Sequence, residues 1–248
     1  MNLLLDIGNS SVNWVLQEQD EFASGGAFSY EKNNLEQSLQ ENLLFLEKPS
    51  SVLVSNVAGV KVSNSLNSWV KKQWQQELWQ PCVSTKFKDL KNSYSDVQQM
   101  GLDRWLAMVA GWEEHQTALC LVGCGTALTI DVIDSSGEHL GGYIVPGIEL
   151  MQRALVSSTE QINVVVNNKA SLEYAKDTQA AINNGAFLAA VSMIDHVRDK
   201  FANESKCKPK CIISGGMAEL IKPFLDYPFE YEPNLVLTGL SMLHKASQ

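Results

Sequence analysis

Leu3-Leu4-Leu5-Asp6-Ile7-Gly8-Asn9-Ser10 stands near the start of the chain, and Leu119-Cys120-Leu121-Val122-Gly123-Cys124-Gly125-Thr126 repeats its pattern about half a chain later. Each is a short apolar run that meets small and polar residues, and each is followed by a second apolar run, Val12 to Leu16 or Thr129 to Ile133. Strand, tight polar loop, strand is the simplest assignment. With the two copies superposed, Gly125-Thr126 falls under Gly8-Asn9 and Gly123 falls under Asp6. The repeat implies two similar α/β halves, 1–116 and 117–248, with a boundary near residue 116.

Outward from these strands the pattern alternates. Leu35, Leu39, Leu43 and Leu46 recur at helical spacing, and Pro49 ends that helix. Val52-Leu53-Val54 reads as a strand, and Leu66, Val70 and Trp74 mark a second helix. Lys86 to Met100 is polar and without period, a loop ending at Gly101, before a helix from about Leu102 to Glu114. A turn at Ser135-Ser136-Gly137 leads to a strand over His139 to Val145, then a helix from about Ile148. Cys211-Ile212-Ile213 is a strand running into Ser214-Gly215-Gly216-Met217 and a helix. Phe187 to Ile194 is apolar and suits either a core or a subunit interface. Alternating strands and helices indicate an α/β fold.

Composition removes several function classes. The 248 residues carry 45% hydrophobic and 19% charged residues, the balance of a folded chain. The net charge is −9 and the pI near 5.0, with no basic block, so a nucleic-acid partner is not expected. Apolar runs such as Ala186–Val191 are too short to span a bilayer, and the N-terminus lacks a basic region, so a cytoplasmic location without membrane attachment is expected. Five cysteines, an odd count, suggest reduced thiols. Cys120 and Cys124 share a strand, which sets their Cα atoms about 13 Å apart, too far for one zinc. The histidines show no paired spacing, and the sequence contains neither G-x-x-x-x-G-K-[ST] nor G-x-G-x-x-G.

The glycine-rich turns are where chemistry can sit. Such a turn presents backbone N–H groups that can wrap a phosphate, and two of them, one per half, can grip a nucleotide across a cleft. Asp6 at the end of the first strand then suits Mg²⁺, held directly or through water. Taken alone, Asp6-Ile7-Gly8-Asn9 reads first as an ordinary hairpin turn and second as a phosphate site. Asp103-Arg104 opens a helix. An acidic residue there complements the helix dipole. The same placement lets Asp103 accept a hydroxyl proton while Arg104 forks onto a carboxylate. The pair Gly215-Gly216 after a strand lets a flat ligand such as adenine lie close to the backbone.

Taken together, the pieces are far more specific. Asp6-Ile7-Gly8-Asn9-Ser10, Gly101-Leu102-Asp103-Arg104-Trp105, Gly125-Thr126-Ala127-Leu128-Thr129 and Gly141-Gly142-Tyr143-Ile144-Val145-Pro146-Gly147 occur in this order, followed by Ser214-Gly215-Gly216 and Pro233-Asn234-Leu235-Val236-Leu237-Thr238-Gly239-Leu240. The set resembles the type III pantothenate kinases, within the acetate kinase, sugar kinase, Hsp70 and actin superfamily. The resemblance implies two actin-like (ribonuclease H-like) domains in tandem with a nucleotide cleft between them, and a homodimer. It implies transfer of the γ-phosphoryl group of ATP to the 4′-hydroxyl of pantothenate, the first step toward coenzyme A.

By that resemblance, Asp6, Ile7, Gly8, Asn9, Ser10, Ser11, Val12 and Asn13 form the first phosphate loop, and Thr126 belongs to the second. Gly215 and Gly216 match the adenosine motif. Asp103 matches the proton acceptor, and Gly101, Leu102, Asp103 and Arg104 would touch pantothenate. Tyr94 matches a tyrosine of the pantothenate pocket. Thr178 matches a substrate-contacting threonine supplied across the dimer interface.

Three departures stand out. Asn13 replaces a frequent lysine, keeping hydrogen bonding and losing the charge. Gly123 replaces the aspartate that serves a monovalent cation site, so the expected K⁺ or NH₄⁺ is in question: the site is rebuilt or lost. Val97 replaces a frequent proline. Two alternatives stay open at this level: a non-catalytic accessory relative, and a kinase of the superfamily acting on another hydroxyl substrate.

Overall fold

A computed structural model describes residues 1–157 and 169–248. By its contacts the chain divides into two units. The first comprises Met1–Thr85, Tyr94–Ala110 and Asn234–Gln248; the second comprises Lys86–Ser93 and the described part of Gly111–Pro233.

The first unit is built on β1 (Asn2–Ile7), β2 (Ser11–Glu18), β3 (Glu21–Ser29), β4 (Ser51–Asn56) and the short β5 (Leu78–Trp79), in sheet order β3-β2-β1-β4-β5. The three consecutive strands pair antiparallel, while β4 and β5 add in parallel through the crossover helices α1 (Leu35–Leu43) and α2 (Val60–Trp74). Period-2 alternation sends Leu3, Leu5 and Ile7 into one core with Leu35, Leu39 and Leu43 of α1 and Val62, Leu66 and Val70 of α2. Helix α1 ends at Leu43, before the expected Leu46, which packs partly buried beside that core.

Strand β3 was not expected. Phe22-Ala23-Ser24-Gly25-Gly26-Ala27-Phe28 lacks an alternating apolar face because it is an exposed edge. Its glycines have a packing role: a Cβ on Gly25 would lie 2.6 Å from the Trp14 carbonyl, and one on Gly26 would lie 3.1 Å from the Trp14 indole nitrogen. The helix α3 (Leu102–His115) follows, with its residues through Ala110 in this unit.

In the second unit, part of the expected Lys86–Met100 loop is ordered as a small hairpin, β6 (Lys86–Phe87) and β7 (Leu90–Lys91). A 3-10 turn over Val97–Gln99, capped by the Asp96 carboxylate, lies farther along in the first unit. The main sheet repeats the first one strand for strand. It has the order β10-β9-β8-β11-β12, from β8 (Leu119–Cys124), β9 (Ala127–Ile133), β10 (His139–Pro146), β11 (Lys210–Ser214) and β12 (Glu230–Tyr231). The same antiparallel and parallel pairings recur in the same places. The repeat read from the two loops is thus a repeat of whole sheets.

Helices α4 (Ile148–Ser157), α5 (Thr178–Ser205) and α6 (Ala218–Ile221) complete this unit. Phe187, Ala190, Val191 and Ile194 of α5 are core, packed with Val122, Ile130 and Ile213; Leu188 is exposed. All five cysteines are free, and Cys120 and Cys211 are register partners on β8 and β11. Among the described residues, no helix is long and apolar enough to cross a membrane, and no group of three or more His, Cys, Asp and Glu side chains is placed to hold a metal.

The chain ends in α7 (Leu235–Ala246), which packs on β1 and β4 of the first unit. Gly239 makes this possible: a Cβ there would lie 2.0 Å from the Leu106 carbonyl oxygen, so α7 and α3 meet backbone to backbone. Gln17 of β2 donates to the Ser241 hydroxyl of α7 at 2.8 Å, in a buried position.

Candidate active site

The register of β1 builds the first part of the site. Asp6 lies opposite Asn13 on β2 and Ser55 on β4, so three polar side chains share one row of the sheet. The row faces away from the core of Leu3, Leu5 and Ile7, on the side where α7 packs. One carboxylate oxygen of Asp6, Oδ1, is buried without a hydrogen-bond partner. Burial pushes the Asp6 carboxyl up to about 7 from an ordinary 3.8, and the nearby negative charge of Asp103 adds to the rise; the side chains of Ser55 and Asn13 oppose it. A buried, unpartnered carboxylate oxygen beside a second carboxylate is a position that a cation would stabilise.

The turn after β1 closes through the Gly8 amide, which donates to the Ser11 carbonyl at 3.0 Å. Asn9 and Ser10 are exposed at its crown, whereas Ile7 and Val12 are fully buried in the core. Ile7 and Val12 therefore have only backbone to offer a ligand.

Helix α3 carries Asp103 and Arg104 in its first turn. Asp103 Oδ1 accepts from the Arg104 amide at 2.8 Å, folding the carboxylate back over the first turn. Gly101 leaves room for it, since a Cβ on Gly101 would lie 2.5 Å from Asp103 Oδ1. Arg104 is buried at 5% exposure, and its Nη1 donates to the Tyr94 hydroxyl at 2.8 Å, with the guanidinium 5.6 Å from the ring centroid. Leu102 is buried and anchors the helix start. Tyr94 directly follows Ser93, which the second unit holds: Ser93 Oγ is 3.2 Å from His139 Nδ1, and His139 Nε2 is 3.0 Å from Asp131 Oδ1.

In the second unit the glycine-rich pieces converge on one turn. Gly215 has φ +97°, and a Cβ there would lie 2.6 Å from the Cys124 carbonyl oxygen; the Met217 amide donates to that same oxygen at 3.1 Å. Gly147 approaches from another side, its amide donating to the Thr126 carbonyl at 2.9 Å, and its Cβ position would be 2.3 Å from the Gly125 carbonyl oxygen. The Gly125-Thr126 turn is thereby clamped while Thr126 stays exposed. Gly216 is exposed, with open space where its side chain would be, as a flat ligand needs.

Gly123 is different. Its Cβ position is 2.6 Å from Thr129 Oγ1, its register partner, so that hydroxyl fills the space a larger residue would use. Thr178 is the exposed first residue of α5, next to Asp177, whose carboxylate caps the helix by accepting from the Ala180 amide at 2.8 Å.

The structure thus groups Asp6, Asn13 and Asp103, and separately Tyr94 and Arg104, within the first unit. It groups Gly125, Thr126, Gly147 and Gly215 within the second. Ser55 was not anticipated, because it joins Asp6 only through strand register. Nor was the buried Asp131 and His139 pair, since an i, i+8 spacing carries no signal without the hairpin between β9 and β10.

The family model for the type III pantothenate kinases matches residues 2–200. A type III pantothenate kinase of Nitrosococcus oceani is 36% identical, covering 99% of this chain and 94% of its own. That of Alcanivorax borkumensis is 29% identical over the full length of both. Among solved structures, a Campylobacter jejuni protein described as a Baf family transcriptional activator covers 99% of this chain at TM-score 0.60 and 21% identity. ADP-bound MreB5 of Spiroplasma citri covers 99% at TM-score 0.54 and 12% identity, which extends the likeness to the actin-like fold.

Proposed function

The chain belongs to the type III pantothenate kinase family, and from that premise we infer that it transfers the γ-phosphoryl group of ATP to the 4′-hydroxyl of pantothenate, the first step of coenzyme A synthesis. One observation carries the choice of acceptor: Arg104, buried and held by Tyr94, stands next to Asp103 on a single helical turn. A fixed guanidinium beside a carboxylate suits an acceptor with a carboxylate at one place and a reactive hydroxyl at another. The guanidinium suits a carboxylated acceptor better than a neutral sugar. Comparing pantothenate with neutral sugars as acceptors tests this, and faster turnover on any sugar would count against it. The activator description of the Campylobacter neighbour concerns that protein, and at 21% identity the likeness carries the fold alone.

Phosphoryl transfer needs positioning and charge neutralisation more than covalent help. Asp103 orients the acceptor hydroxyl and takes its proton as the bond to phosphorus forms. Arg104 holds the pantothenate carboxylate, with Tyr94 fixing the guanidinium and lining the pocket. Gly101 and Leu102 supply backbone at the same edge, and Thr178 contacts substrate across a homodimer interface. The Gly8–Ser11 turn and the Gly125-Thr126 turn offer backbone N–H groups to the phosphates, and Gly215-Gly216 takes the adenosine.

The orphaned Oδ1 of Asp6 and its raised carboxyl fit a divalent cation, so Asp6 would hold Mg²⁺ directly or through water. When bound there, Mg²⁺ supplies charge neutralisation to the phosphate oxygens of ATP. A monovalent cation site does not fit in the same way. Gly123 offers no carboxylate, and the Thr129 hydroxyl occupies the space beside it. Turnover is therefore expected to be equal, within about twofold, in sodium, potassium or ammonium salts of matched ionic strength. Activity that rises tenfold or more with potassium or ammonium would contradict this.

The dimer belongs to the same reading. Leu140, Tyr143 and Ile144 on the edge strand β10 and Leu150 and Leu155 on α4 are exposed apolar side chains within one unit, which a subunit interface would cover. Light scattering is expected to return twice the 27.4 kDa chain mass, and a monomer at micromolar concentration would overturn the interface role of Thr178. A cytoplasmic location, where ATP is made and used, suits this reading.

A further inference from the structure

The loop from Asp6 to Asn13 carries a single charged side chain, the carboxylate of Asp6. A polyphosphate resting on its backbone would find no cation within the loop itself. The structure brings one from the segment after β3. Tyr30 is tied to the turn twice: its amide donates to the Ser10 carbonyl at 3.1 Å, and its hydroxyl donates to the Gly8 carbonyl at 2.6 Å. Two residues on, the Lys32 ammonium donates to Asn9 Oδ1 at 2.8 Å and to the Ala58 carbonyl at 3.3 Å.

Both acceptors are neutral, and among the described residues no carboxylate pairs with Lys32. An ammonium has three N–H donors, and two are engaged here. Asn9 holds the group at the exposed crown of the turn with its charge uncompensated and one donor to spare. Tyr30 fixes the backbone that carries it. Such an arrangement suits an anion arriving at the turn.

We propose that Lys32 is the cationic phosphate-binding residue of the first loop, contacting a phosphate oxygen of the nucleotide while Asn9 orients its ammonium. This rests on the reading of Asp6–Asn13 as a phosphate loop. It also accounts for a loop with Asn13, not a cation, at its end: the charge is supplied from a different segment.

The test is calorimetric titration of the full chain with Mg-ATP, Mg-ADP and adenosine. Lys32→Met keeps the aliphatic stem and removes the charge. Its affinity for ATP and ADP is expected to fall roughly 10- to 150-fold, the range of a charge-assisted hydrogen bond, while adenosine binding stays within about twofold. Lys32→Arg is expected to recover most of the loss. Equal weakening of adenosine would make Lys32 a prop of the turn and overturn the proposal, as would unchanged ATP binding. Gly8→Val, which places a branched side chain on the turn, separates the two levels. If it weakens ATP binding while Lys32→Met does not, only the Lys32 assignment falls. If it leaves ATP binding unchanged, the phosphate-loop reading falls and Lys32 with it.

Discussion

Replacing Asp103 by Asn is expected to lower pantothenate-dependent turnover by roughly 10²- to 10⁴-fold, the usual share of a general base, with ATP affinity changed less than about twofold. The substitution is nearly isosteric. An Asn Oδ1 can still accept from the Arg104 amide, as the carboxylate does at 2.8 Å, so the first turn of α3 keeps its shape. The amide cannot take the hydroxyl proton. Steady-state kinetics with both substrates check this, and a loss below tenfold would remove Asp103 from the proton-accepting role. Because Asp103 also raises the Asp6 carboxyl, the variant should lower the Asp6 value, a second and independent signature.

Asp6→Asn is expected to separate activity from stability. Turnover should fall by roughly 10²-fold or more, since a site of electrostatic stabilisation is lost. The nucleotide-free, metal-free protein should nevertheless become more stable at pH 8. The sign follows from the raised carboxyl. Its folded-state value lies above the unfolded one, so its stability contribution is fully present below about 3.8 and is lost as pH rises through about 7. A rise from 3.8 to about 7 corresponds to about 4 kcal/mol, carried as a penalty by the charged form at pH 8. A neutral amide recovers part of it, about 1–3 kcal/mol. The gain should shrink toward pH 5, where the wild-type carboxyl is largely protonated. Denaturant unfolding at both pH values measures it, and a variant less stable than wild type at pH 8 would contradict the account.

Much of the fold was legible because both halves carry the same apolar strand and glycine-rich turn. Leu3 to Gly8 and Leu119 to Gly125 have no other simple reading, and apolar spacing located α1, α2 and α3. What stayed hidden depends on partners far away in the chain. Strand β3 has no apolar alternation, and its glycines make sense only beneath Trp14. The packing of α7 on the first sheet turns on Gly239 meeting Leu106, a contact that no local pattern announces.

The site divides the same way. Asp6, Asp103, Arg104 and Gly215 stand at strand ends and helix starts, where local sequence already suggests ligands. Ser55 meets Asp6 through register and Lys32 meets Asn9 beside the Tyr30 anchor, so both neighbours become visible only once the sheet is formed.

The most direct test of the central claim is ADP release from Mg-ATP by the purified chain, with and without pantothenate. The account predicts release that depends on pantothenate and matches the phosphopantothenate formed mole for mole. Equal release with and without pantothenate, or none from protein shown to be folded, would contradict it.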